Sequence, residues 1–114
     1  MYRFAEPVLL LLLRQKGRAY GYELAQELND HALTGSNIER GAVYRTLRTL
    51  EANGNVISDW DVSGSGPARR HYCLTPRGEE HLQEWAEVLE RLAESMQGFS
   101  HEARALQRTT KAAE

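Results

Sequence analysis

The chain has one cysteine, Cys73, in 114 residues, which excludes an intrachain disulfide and any zinc centre built on several cysteines. A reducing cytoplasm is the expected setting. Long apolar runs are lacking too. The run Val8 to Leu13 falls far short of the roughly 20 residues that cross a bilayer. Arg14-Gln15-Lys16 follow it where a secretory signal would place small residues. Positive charge is not in surplus, since 14 Lys/Arg stand against 16 Asp/Glu for a net −2, and a generic polycation is excluded. Catalytic patterns are missing as well: His31, His71, His81 and His101 form no helical i, i+4 ligand pair. His71 and Cys73 fall on one strand face, but nothing supplies the third group that would orient a base. Neither an enzyme nor a cofactor or metal site is expected.

What is present suits one globular domain: with 41% apolar residues, a chain of this length buries roughly two-thirds of its unfolded surface. Its charge is uneven. Residues 36–78 carry six Lys/Arg against four Asp/Glu, a local +2, whereas residues 79–114 carry four against eight, a local −4. A basic middle precedes an acidic tail.

The most informative stretch is Ile38 to Gly54. Val43, Leu47 and Leu50 recur at i, i+4 and i+7, so a helix buries them and turns Gly41, Arg45, Arg48 and Ala52 outward. Asn53-Gly54 ends it near Ala52, through a left-handed residue. With Arg40 beside them, the outward arginines make a basic face, and Glu39 and Glu51 lie only at its ends. An ordinary solvated surface is the competing interpretation of three arginines alone.

Upstream, Glu6 to Lys16 reads as a core helix, with Pro7 in its first turn and Gly17 at its stop. After Tyr20-Gly21-Tyr22, the spacing of Leu24, Ala25, Leu28 and Ala32 predicts a second amphipathic helix. Thr34-Gly35-Ser36-Asn37 then connects it to the basic helix, in the order of a helix-turn-helix. Downstream, Val56 to Val62 alternates, with Val56, Ser58, Trp60 and Val62 on one face, and Arg69 to Leu74 places Arg70, Tyr72 and Leu74 together. Two strands therefore flank a Gly/Pro-rich tip that ends in Arg69-Arg70. That is a hairpin built like a nucleic-acid-binding wing, the alternative being a plain surface hairpin.

Thr75 and Pro76 supply an N-cap and a first-turn proline for a last helix. Leu82, Trp85, Leu89, Leu92, Met96 and Phe99 follow at 3-4-3-4-3 spacing, a coiled-coil seam about 26 Å long. Self-association as a homodimer is expected, with packing onto the first helix as the alternative. Trp85 exceeds the leucine that a tight two-stranded seam prefers. Near its two-fold mate it would wall a slot for a planar aromatic or phenolic small molecule, unless it packs on the first helix. Ser100 to Glu114 is a tail, either helical or disordered.

Tyr20-Gly21-Tyr22-Glu23-Leu24, Gly41-Ala42-Val43-Tyr44 with Leu47, Leu50-Glu51 and Gly54, and Arg69-Arg70-His71-Tyr72-Cys73-Leu74-Thr75 with Gly78 together resemble the PadR family of bacterial transcriptional regulators, over Val8 to about Leu82. The resemblance implies a mainly α fold with a small β-hairpin: a winged helix-turn-helix in residues 1–74 and a C-terminal dimerisation helix in residues 75–99. It further implies binding to operator DNA, usually as a repressor that a small molecule releases. The single last helix is like that of the family's short members. Three stretches depart from the family pattern. Glu39-Arg40 stand where Ser or Thr with Pro is usual, Arg45 stands where a proline commonly follows the tyrosine, and Gly66-Pro67-Ala68-Arg69 stand where Gly-Arg-Pro-Arg is frequent in the wing, one cation fewer.

The expected DNA face is Tyr44, Arg45 and Arg48, with Asn37 and Arg40 near the helix start and Arg69 and Arg70 beside the wing. The expected partner is double-stranded DNA with a pseudo-palindromic site. A winged-helix protein-interaction module without DNA binding is the alternative, favoured by the near-neutral charge and the missing wing arginine.

Overall fold

The computed structural model describes residues 4–31, 38–64 and 66–113. The chain divides into two compact units, Met1–Leu82 and Gln83–Glu114. In order the elements are α1 (Ala5–Lys16), β1 (Ala19–Tyr20), α2 (Gly21–Asp30), α3 (Arg40–Ala52), β2 (Val56–Asp61), β3 (Arg69–Leu74) and α4 (Pro76–Ala113).

The leucine-rich α1 is the centre of the first unit, packing against α2, α3 and β3. Leu9, Leu10 and Leu13 are fully buried, each stabilising by about 1.5–3 kcal/mol through burial. Glu6 in the first turn and Arg14 and Lys16 in the last suit the helix dipole. Gly17 stops the helix: at φ 78° its N–H reaches back to Leu13 O at 2.8 Å. On α2, Leu24, Ala25 and Leu28 face the core, and the Tyr20 N–H before the helix is taken by Glu23 Oε1 at 2.9 Å.

Helix α3 runs as its periodicity predicts. Val43, Leu47 and Leu50 are fully buried while Gly41, Arg45, Arg48 and Ala52 are exposed. It ends at Ala52, and Gly54 at φ 80° is the left-handed residue that follows. At its start Glu39 is the N-cap residue, with extended backbone and no capping side-chain hydrogen bond. The connection Thr34-Gly35-Ser36-Asn37, and Ala32 before it, lie outside the described residues.

The sheet differs from a simple hairpin. Strands β2 and β3 pair antiparallel with Val56 opposite Leu74, Trp60 opposite Arg70 and Asp61 opposite Arg69. This places Ser58, Trp60, Arg70 and Tyr72 on one face, as the alternation requires. A third strand, β1, lies on the other edge of β3, with Ala19 opposite Tyr72 and Tyr20 opposite His71, giving the order β1-β3-β2. Two residues carry no periodicity, so only pairing with β3 makes them a strand. Strand β2 also ends at Asp61 rather than Val62, because Asp61 Oδ1 accepts the Ser63 N–H at 3.0 Å and turns the chain there.

Thr75 caps α4 by itself: its hydroxyl accepts the Gly78 N–H at 3.0 Å and donates to Gly54 O at 2.6 Å. The helix continues without a break to Ala113. In the second unit, Trp85, Leu89 and Leu92 are half-buried, whereas Met96 and Phe99 are 55% and 71% exposed.

Candidate nucleic-acid interface

Helix α3, the start of α2 and the hairpin together line an open cleft of about 510 Å³. Tyr44 and Arg48 come from α3, Tyr22 from α2, and Trp60, Arg69 and Arg70 from the hairpin. Three of the arginines singled out from sequence therefore meet at one place. Arg45 stands exposed one residue after Tyr44. Gly41, a turn before it, leaves the helix surface open: a Cβ there would meet only the Arg45 Nη1, at 3.4 Å. Arg40 lies apart, on a separate hollow with Gln26, Asn29 and Ile38. Asn37 falls outside the described residues.

Aromatic rings hold the hairpin cations. The Arg70 guanidinium lies over the Trp60 ring at 5.1 Å and that of Arg69 over the Tyr22 ring at 5.6 Å, both within cation–π range. Tyr22 in turn stacks on Tyr20, with centroids 5.7 Å apart and planes at 11°. Nearby acids are engaged by hydroxyls. Ser58 Oγ donates to Glu51 at 2.5 Å, and Asp61 accepts from Ser63 and from the Tyr20 hydroxyl. Those bonds hold the Asp61 carboxyl well below the usual carboxylate range, while the hydrogen bond it donates to Asp61 raises the Tyr20 phenol. Burial pushes the Tyr72 phenol up, at the floor of the cleft.

Tyr22 and Trp60 were not among the expected site residues. Alternation set Trp60 on one face of its own strand, but only the register with β3 brings it beside Arg70; Tyr22 gave no signal, because Arg69 is 47 positions away. The remaining histidine of note, His81, bonds to Glu6 within the first unit. Among the described residues no group of three or more His, Cys, Asp or Glu is placed to hold a metal, and no helix is long and apolar enough to cross a membrane.

A basic helix presented beside a short antiparallel hairpin, on a core of three helices, is a winged helix-turn-helix. The model of the transcriptional regulator PadR-like family matches residues 8–84, and the chain belongs to that family. Its members are transcriptional regulators, not enzymes. A transcriptional regulator of Mycobacterium tuberculosis is 42% identical over 85 residues, 74% of this chain and 76% of its own length. The crystal structure of a PadR-like transcriptional regulator from Bacillus cereus superposes with a TM-score of 0.69 at 26% identity, over 84% of this chain and 90% of that one. The same fold is seen in Bacillus subtilis PadR in complex with operator DNA, with a TM-score of 0.64 at 23% identity, over 75% of this chain and 48% of that one.

Proposed function

We propose that this regulator binds operator DNA as a homodimer and represses transcription in the cytoplasm until a small molecule releases it. The observation that carries the DNA part is the convergence of Tyr44 and Arg48 with Arg69 and Arg70 on one open cleft. Arg45 extends the same basic face along α3. In this reading residues 1–74 meet DNA, with α3 in the major groove and the wing arginines on the phosphate backbone. Asn37 and Arg40 approach DNA from the start of α3. The B. subtilis relative, held on operator DNA, supports this mode of use.

Residues 75–99 serve dimerisation in this proposal, through Leu82, Trp85, Leu89, Leu92, Met96 and Phe99, and residues 100–114 are a tail. Phe99, 71% exposed, and Met96 leave apolar surface on α4 that a second copy would bury. Trp85 is the proposed wall of an effector slot between subunits for a planar aromatic or phenolic compound.

The test is a binding selection on random duplex DNA with the full chain. Enrichment of a pseudo-palindrome with half-sites about one helical turn apart is expected, with affinity falling as salt rises. Replacing both Arg45 and Arg48 by Ala should weaken binding to that duplex. A second reading, a protein-interaction module, draws on Pro67, which stands where the family's frequent Gly-Arg-Pro-Arg wing carries arginine, and on the net charge of −2. A pool from which nothing is enriched favours that reading.

A further inference from the structure

The Tyr20-Gly21-Tyr22 segment grips both strands of the wing at the end of the ladder nearest the tip. Asp61 and Arg69 face each other on the rung of the β2–β3 ladder next to the tip. Both oxygens of Asp61 are engaged: the Tyr20 hydroxyl donates to Oδ2, and the Ser63 N–H and Oγ donate to Oδ1 at 3.0 and 2.6 Å. Across the rung, Arg69 lies over the Tyr22 ring, with Nη1 3.4 Å from its hydroxyl. The two tyrosines stack on each other. One segment thus holds the carboxylate of one strand and the guanidinium of the other. The acid directly opposite Arg69 is kept on Tyr20 and Ser63, which leaves the arginine's charge for a phosphate.

We propose that Tyr20 and Tyr22 are positioning residues for the wing: Tyr22 fixes the direction of Arg69, and Tyr20 keeps Asp61 from neutralising it. The inference rests on the DNA-binding reading above. Tyr22 acts through Arg69 rather than by its own contact with DNA, although at 41% exposure it lines the cleft. A flexible arginine must be ordered when it binds a phosphate; one already seated on a ring loses less freedom at that step.

The experiment uses the full chain and the duplex it enriches from a random pool. Tyr22→Leu should bind about two- to fivefold more weakly, the fold-change of an exposed cation–π contact, and Tyr22→Phe, which keeps the ring, close to wild type. In an Arg69→Ala background Tyr22→Leu should cost nothing further. Tyr20→Phe should also weaken binding, and adding Asp61→Asn should restore it. Arg48→Ala must cost the same with and without Tyr22→Leu, because a general loosening of the fold would change both. Without DNA, the Arg69 δ-protons should show an upfield ring shift in NMR spectra that Tyr22→Leu abolishes and Tyr22→Phe keeps. Equal cost of Tyr22→Leu in both Arg69 backgrounds, no rescue by Asp61→Asn, or no ring shift overturns the inference while leaving DNA binding intact. A wild-type protein that enriches no duplex overturns the DNA reading, and this inference with it.

Discussion

Gly21 and Tyr44 are so close that a Cβ on the glycine would stand 2.4 Å from the tyrosine's Cε1. The first residue of α2 therefore seats the ring that α3 turns toward the cleft. Gly21→Ala should push that ring outward, lowering stability by about 1–3 kcal/mol, the range for overpacking, and weakening operator binding. Urea denaturation checks the first part. In a Tyr44→Ala background the same alanine should cost far less, since its clash is gone.

Gly78 is confined by backbone rather than by a ring. A Cβ there would lie 2.0 Å from Asn55 O and 2.8 Å from Leu74 Cδ2, and the carbonyl also accepts the Thr75 N–H at 3.1 Å. No side-chain rotation relieves this, so Gly78→Ala should destabilise by about 3 kcal/mol or more. Thr75→Ala should cost only about 1 kcal/mol, as the loss of an N-cap does. Urea midpoints in which Gly78→Ala proves no worse than Thr75→Ala would contradict this packing.

Asp61 makes the fold sensitive to acid. Its carboxyl is held low by Ser63 and then Tyr20, so on acidification the unfolded chain takes up this proton first. The stabilisation is therefore complete above the unfolded carboxylate range, about pH 4, and is lost as pH falls through the lower folded value. Wild type should exceed Asp61→Asn in stability by a constant amount near neutrality, and the gap should close below about pH 4. Thermal melts across a pH series measure it. A gap that widens in acid would reverse the sign.

The proposed dimer depends on the apolar side of α4. Leu89→Glu, which places a carboxylate at a half-buried seam position, should halve the mass seen by light scattering or cause aggregation. A wild-type chain that is monomeric at about tens of micromolar, the range of weak association, contradicts the dimer.

Trp85 and Trp60 are the two tryptophans, so a Trp60→Phe chain isolates the seam indole. Planar aromatic or phenolic compounds should quench its fluorescence saturably and weaken operator binding, provided they favour one subunit spacing over another. If a panel gives no saturable quenching, and Trp85→Leu leaves both dimer and DNA affinity intact, the indole is packing alone.

Local rules were enough for much of the first unit. The burial of Val43, Leu47 and Leu50, the outward arginines, the stop at Gly54 and the Thr75 cap follow from helical periodicity and end chemistry, which act over three or four residues. Strand alternation likewise grouped Ser58 with Trp60 and Arg70 with Tyr72, while the β2–β3 register decided that the two groups share a face. The tertiary structure decided the rest. Ala19–Tyr20 is a strand only because β3 offers it an edge. Tyr20 meets Asp61 across 41 positions and Tyr22 meets Arg69 across 47, contacts that require the order β1-β3-β2 and not any local pattern. Gly21 likewise reads as a turn residue by itself, and only the arrival of Tyr44 from α3 makes a side chain there too large. Periodicity reports which side of an element is buried; which element arrives to bury it is settled by the packing of the whole unit.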